Sequence, residues 1–210
     1  LFDHGKVFGN VELNVDAPDY SHLPTDQRLK RIQEGATDDL DFYTLYFQYG
    51  RYLLIASSRE GALPANLQGT WNRYNFSPWG SGYWHNVNVQ MNYWPAFSTN
   101  LAETFISYWD YMQAYMPAAE ANADYVVNRF NKDKYDEDGG NGWCIGVSAF
   151  PNEVQWDRSA GNLGFTTQLL WDYYDFTKDP AILDDVYKLL ISAARFIVKS
   201  VELTEEGHYL

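Results

Sequence analysis

Between Leu101 and Asn128 the apolar side chains return every three or four residues, with Leu101, Phe105, Tyr108, Met112 and Met116 on one helical face. That period belongs to an amphipathic helix, since the buried side chains of a strand alternate. The spacing predicts a long helix here, continued over Ala118–Asn128, with Pro117 as a candidate kink. The same period recurs upstream. Leu40, Tyr43, Phe47, Gly50 and Leu54 share a face, and Asp38, Asp39 and Asp41 before them suit the positive end of a helix dipole. That helix is expected to end near 57–61. Another is expected from about Asn88 to Trp94, where Pro95 interrupts. Two more close the chain: Leu163–Phe176, then one opened by Asp179 as N-cap and Pro180, running through Leu183, Val186, Leu190, Ala194, Ile197 and Val201. Residues 1–24 alternate weakly and end in proline turns, so they are expected to form a short strand or a linker.

Long loops over 61–84 and 131–160 separate these helices. Long helices joined alternately by short turns and by aromatic loops build an α/α toroid, with its loops gathered at one end. A plain helix bundle is the alternative, and the absence of a fixed repeat disfavours a solenoid. The fold class expected is therefore all-α. Hydrophobic residues make up 46% of the 210 and charged residues 20%, the balance of a chain that folds. A net charge of -13 repels nucleic acid and anionic membrane, so neither is expected as a partner. No apolar run approaches the ~20 residues that span a bilayer. Cys144 is the only cysteine, which rules out an intrachain disulfide and a cysteine-based metal site and is compatible with a secreted or periplasmic location. Asp133, Asp136, Asp138 and Asn141 stand at nearly calcium-loop spacing but lack the closing Glu, and a solvated turn is the simpler expectation. No metal or cofactor is implied.

The chemistry concentrates in Leu63-Pro-Ala-Asn-Leu-Gln-Gly-Thr-Trp-Asn72 and in Pro78-Trp-Gly-Ser-Gly-Tyr-Trp-His-Asn-Val-Asn-Val-Gln-Met-Asn-Tyr-Trp94. Asn66, Asn72, Asn86, Asn88, Gln90 and Asn92 alternate there with Trp71, Trp79, Tyr83, Trp84, Tyr93 and Trp94. Side-chain amides both donate and accept hydrogen bonds, which suits a ligand covered in hydroxyls. Aromatic faces suit the apolar faces of sugar rings. An oligosaccharide is thus the expected ligand. The alternative for Asn86 and Asn88 is helix capping, which asparagine does well.

At these motifs the sequence resembles glycoside hydrolase family 95, a family of inverting α-L-fucosidases with some α-L-galactosidases. Leu23-Pro-Thr-Asp-Gln-Arg-Leu29, the stretch Leu45–Arg59 and Leu170-Trp-Asp-Tyr-Tyr-Asp-Phe-Thr-Lys-Asp179 extend the likeness over most of the chain. The resemblance implies an (α/α)6 toroid, of which 25–210 would be roughly the first half and 1–24 the end of a preceding linker. It implies that Asn86 and Asn88 hold the attacking water. It places the general-acid Glu and the Asp that assists the asparagines beyond Leu210, so this stretch alone is expected to be inactive. The rest of its own catalytic domain, or another copy of the chain, would then be a partner.

Two departures qualify the likeness. Where the family pattern reads Tyr-His-Thr-Asn-Ile-Asn, this chain has Tyr83-Trp84-His85-Asn86-Val87-Asn88, which puts Trp84 at the sugar-contacting His position and His85 one residue later. After Gly142-Trp143 the chain runs to Ala149-Phe-Pro-Asn-Glu-Val-Gln-Trp-Asp157 in place of a His-His-Asn-Thr-Asp-like stretch. The candidate sugar contacts are Asn66, Trp71, Trp79, Trp84, His85, Trp143, Asn152 and Trp156, with Glu153 and Asp157 as loop carboxylates in water or substitute acids. The alternatives to a fucosidase are an α-L-galactosidase, a non-catalytic carbohydrate-binding or divergent homologue, and a helical domain with no ligand.

Overall fold

A computed structural model describes residues 2–148, 160–202 and 204–207. The described residues are helical, with two isolated bridges and no strand. The all-α class is as the periodicity predicts. Of the strand or linker expected over residues 1–24, the strand is not formed. In its place these residues hold α1, Phe2–Phe8, followed by a stretch without regular structure. The cause lies more than forty residues away in α3 (Asp41–Ser57), after the short α2 (Thr25–Gln33). Arg51 of α3 is buried, and its guanidinium donates to the carbonyls of Phe8 at 2.7 Å, Val7 at 3.1 Å, Val11 at 3.3 Å and Thr99 at 3.2 Å. A cation set against the last carbonyls of a helix meets its negative end.

A second buried cation registers α2 on α3. Arg28 forms a two-pronged pair with Asp39, at 2.6 and 2.9 Å, and Asp39 also accepts the Phe42 N–H in the first turn of α3. The Arg28 hydrogen bonds hold the Asp39 carboxyl below the usual carboxylate range.

The core lies on the long helix. After α4 (Asn88–Tyr93) and α5 (Pro95–Ser98) comes α6 (Ile106–Phe130), which absorbs Pro117 without ending. Phe105, Tyr108, Met112, Tyr115, Ala119, Ala123 and Val127 are fully buried along it. Tyr93 joins three segments to this core: its hydroxyl meets Ser58 Oγ at 2.7 Å and Ser107 Oγ at 3.1 Å, and accepts the Ala65 N–H at 2.7 Å. The chain closes with a helical hairpin of α7 (Ala160–Thr177) and α8 (Pro180–Ser200). Asp179 caps α8 through Ala181 N–H at 2.9 Å, as its sequence predicts. Such hairpins are the units from which an α/α toroid is assembled.

The loop after α6 is threaded between α6 and α8. The Cys144 N–H donates to Ala119 O, and the Trp143 indole N–H donates to Leu189 O at 2.8 Å. Asn141 organises the loop, bonding Asp124, Asp136 and Lys199. Gly142 lies against α8 with φ +86°, and a Cβ there would stand 2.2 Å from Ser192 O and 2.5 Å from Phe196 N. Neither backbone atom can retreat cheaply. Gly142→Ala is therefore expected to cost about 3–5 kcal/mol, through overpacking and a left-handed φ together. A thermal midpoint equal to that of the unsubstituted protein would show that the loop and α8 are not locked at this point.

Candidate functional site

The segment 82–90, which runs into the first turn of α4, is fixed from both sides. Trp84 pairs with Ser148 in an isolated bridge, and the His85 N–H donates to Val147 O at 2.6 Å. The His85 carbonyl accepts from Gln90 Nε2 at 2.6 Å, and the same nitrogen reaches Thr166 Oγ1 on α7 at 3.2 Å. Gln90 and Thr166 are both fully buried. Gln90 was visible in the sequence only as one more amide of the motif. Its anchoring role needed a partner 76 positions away.

The His85 ring is fully buried and stacks on Tyr111 of α6 at 5.7 Å with the planes 10° apart. Its Nδ1 lies 3.1 Å from the Tyr83 carbonyl, which can only accept, so Nδ1 carries the hydrogen and donates. Nε2 is buried without a partner among the described residues. Burial pushes the imidazole pKa down to about 3, against the opposing pull of the Tyr83 carbonyl. The expectation that His85 contacts sugar is therefore corrected: it is a neutral ring of the core.

Asn86 and Asn88 lie between the clamped ends. Asn86 is exposed and Asn88 half-buried, and neither side chain hydrogen-bonds to any described residue. The N-cap of α4 is Val87, and no side chain caps it. Helix capping, the alternative explanation of the pair, is thus not what these amides do.

Both line a cavity of ≈ 430 Å³ with Leu67, Trp79, Trp84 and Val147. Its walls are aromatic. Trp79 and Trp84 meet edge to face at 6.2 Å, and Trp84 Nε1 donates to the Trp79 carbonyl at 3.1 Å. Trp79 and Ser81 take left-handed backbone, φ 55° and 49°, which costs a non-glycine residue about 1–2 kcal/mol each. Trp79 remains 76% exposed, so its indole is available to a ligand.

The other predicted contacts are scattered. Trp143 is 1% exposed with its N–H spent on Leu189, so its expected role at a sugar is corrected to one in the core. Asn66 builds a turn: its Oδ1 accepts Gln68 N–H at 2.9 Å, and its backbone bridges to Gly69. Trp71 lines a neighbouring cavity and not the first. Asn152, Glu153, Trp156 and Asp157 lie outside the described residues.

The titration of His85 carries a stability signature. Its pKa is about 6.5 when unfolded and about 3 when folded. Between those values the unfolded chain binds the extra proton, so stability rises with pH there. The contribution is complete above about pH 6.5 and falls with acidification, by up to about 1.4 kcal/mol per pH unit. The thermal midpoint should therefore drop less steeply from pH 7 to pH 4 in His85→Phe. Equal slopes in the two proteins would mean that the ring is not buried neutral.

Comparison with known proteins places this architecture. A model of the glycosyl hydrolase family 95 catalytic domain matches residues 1–210. The chain is 31% identical to a probable alpha-fucosidase A of Aspergillus niger, over 92% of this chain and 24% of that protein. It is 31% identical to alpha-L-fucosidase 2 of Arabidopsis thaliana, over 94% of this chain and 24% of that one. A probable alpha-fucosidase A of Aspergillus oryzae is 39% identical over 47% of this chain. The chain thus spans about a quarter of the first two relatives, and by the match to the family model it belongs to glycosyl hydrolase family 95.

Proposed function

We propose that this chain supplies the water-holding side of an inverting exo-glycosidase site that acts on α-L-fucosides. The observation that carries the proposal is the pair of amides, Asn86 and Asn88, that bond to no described residue and line one indole-walled cavity. In an inverting hydrolysis the glycosidic C–O bond breaks as a proton reaches the leaving oxygen. A water adds to the opposite face of the sugar and gives up its own proton. An amide oxygen can accept a hydrogen bond from that water and aim it, while the NH2 group leans on a carboxylate. An amide cannot take up or supply a proton near neutral pH. Among the described residues no carboxylate lines the cavity, so the acid and base must come from residues outside those described.

Trp84 presents an indole where the family motif carries an imidazole. Sugar preference is thus open between α-L-fucosides and α-L-galactosides, and both belong in the assay. In the full-length protein, Asn86→Ala and Asn88→Ala should each lower kcat about 10²–10⁴-fold. The thermal midpoint should stay nearly unchanged, because neither amide bonds to a described residue. NMR of the first-formed product should show inverted anomeric configuration. Wild-type kcat in both variants, or retained configuration, would sink the proposal.

Two apolar faces support a partner for this stretch. Tyr46, Tyr49 and Tyr52 on α3, and Tyr187 and Val198 on α8, are exposed, with Val198 at 69%. The reading they support is that the remainder of the catalytic domain, or a second copy, covers them. The 210-residue stretch produced alone should self-associate in light scattering. A monodisperse monomer would count against it.

A further inference from the structure

The corner that follows α6 is tied to the end of α8 by two side chains. Asn131 is buried, and its Nδ2 donates to Lys199 O at 3.0 Å. Lys134 closes the 3₁₀ turn Lys132–Lys134 and donates to Val201 O at 2.6 Å. The residues between and before them are not used in this way. Asn128 and Arg129, in the last turn of α6, and Lys132 are exposed, and none of their side chains bonds to a described residue. With the half-buried Tyr125 they line a cavity of ≈ 340 Å³, within the ~300–1,000 Å³ of small-ligand sites.

Basic residues are few here, 15 against 28 acidic ones, and Arg28, Arg31, Lys178, Lys188 and Lys199 each meet a carboxylate. Arg129 has a folding reason of its own, since a cation in the last turn of a helix suits its negative end. That reason does not explain a second cation and an amide on the same cavity. A guanidinium is a planar fork that grips a carboxylate or a sulfate through two N–H groups, and Lys adds a point charge. The amide of Asn128 can both donate and accept, which suits hydroxyls, and a tyrosine face suits a sugar ring. A net charge of -13 repels a polyanion, so nucleic acid and densely charged polymers are poor occupants. A single anionic group on a molecule otherwise covered in hydroxyls matches all four side chains.

We propose that this corner is a separate carbohydrate site, specific for a sugar residue that carries a carboxylate or a sulfate ester. Arg129 and Lys132 hold the anion, Asn128 a hydroxyl, and Tyr125 the face of the ring. Arg129 stands about five turns along α6 from Tyr111, whose ring packs on Tyr83. At ~1.5 Å per residue that is ~27 Å, so the site is remote from the cavity of Asn86 and Asn88. It does not depend on what that cavity does.

Calorimetry on the full-length protein tests this with four probes: an aldobiouronate, its uncharged methyl ester, galactose 6-sulfate and inorganic sulfate. One of the two acidic sugars should bind at least about tenfold more tightly than the ester. Arg129→Gln combined with Lys132→Gln should abolish that preference, and Arg129→Lys, which keeps the charge without the fork, should retain part of it. Should the double variant fail to fold, the comparison of acid with ester in the wild type still decides. The better-bound sugar should then also slow acetylation of Lys132, read by mass spectrometry. Binding is measured without hydrolysis, so the result stands whether or not a fucoside is cleaved. Inorganic sulfate bound as tightly as either acidic sugar would reduce the site to a free-anion contact and overturn the sugar. Equal binding of acids and ester, or a lowered thermal midpoint with the preference intact in the double variant, would overturn the site and leave the cations to the helix end.

Discussion

A single face of α6 sets the register of everything that carries the site. Tyr108 packs on Tyr93 and on Phe105, each at 5.3 Å, and on His85 at 6.0 Å; Tyr111 packs on Tyr83 at 4.8 Å and on His85 at 5.7 Å. The rings of segment 83–93 thus lie on rings spaced by the helical repeat of α6. Aromatic pairs favour a few offset or edge-on geometries, each worth about 0.5–1.5 kcal/mol beyond the area it buries. A slip by one residue would lose several at once. The turn that bears Asn86 and Asn88 is therefore placed by rings on either side of it and not by its own polar groups.

That dependence explains what the sequence could and could not reveal. Helix bodies were legible because 3.6-residue periodicity is local, and α6, α7 and α8 lie where the pattern put them. The buried faces were less so. In α8, Ala193 and Phe196 are buried while Ala194 is not, a rotation of about one position from the face read in sequence. In α3 the anticipated face leaves Leu40 and Tyr43 exposed, whereas Arg51 is buried. A buried arginine has no apolar signature. It is there because carbonyls from α1, from Val11 and from Thr99 converge on it, and these are distant in sequence.

The site was half legible for the same reason. Trp79, Trp84, Asn86 and Asn88 line one cavity. Trp143 and His85 do not, because being a tryptophan or a histidine near a motif does not say whether a carbonyl waits for its N–H. Leu189 supplies that carbonyl to Trp143, and Tyr83 supplies it to His85. Gln90 escaped notice in the opposite sense: an amide placed among sugar-binding candidates turned out to serve the backbone of its own turn.

The asparagines separate by what their amides do. Asn66 and Asn72 each accept the N–H two residues on and shape turns. Asn92 supports the Asn66 turn, Asn131 donates to Lys199 O, and Asn141 organises its loop. In each, folding itself accounts for the residue. Asn86 and Asn88 differ from these five: their amides bond to no described residue, and they sit at the start of α4 without capping it. Stability does not explain them, since asparagine is a poor helix former when it does not cap. What they have in common is a cavity, and the backbone around them is held by buried bonds through His85 and Gln90 that leave both amides unspent. Two amides that bond to no described residue, on a turn anchored so firmly, are what the proposed water-holding role requires.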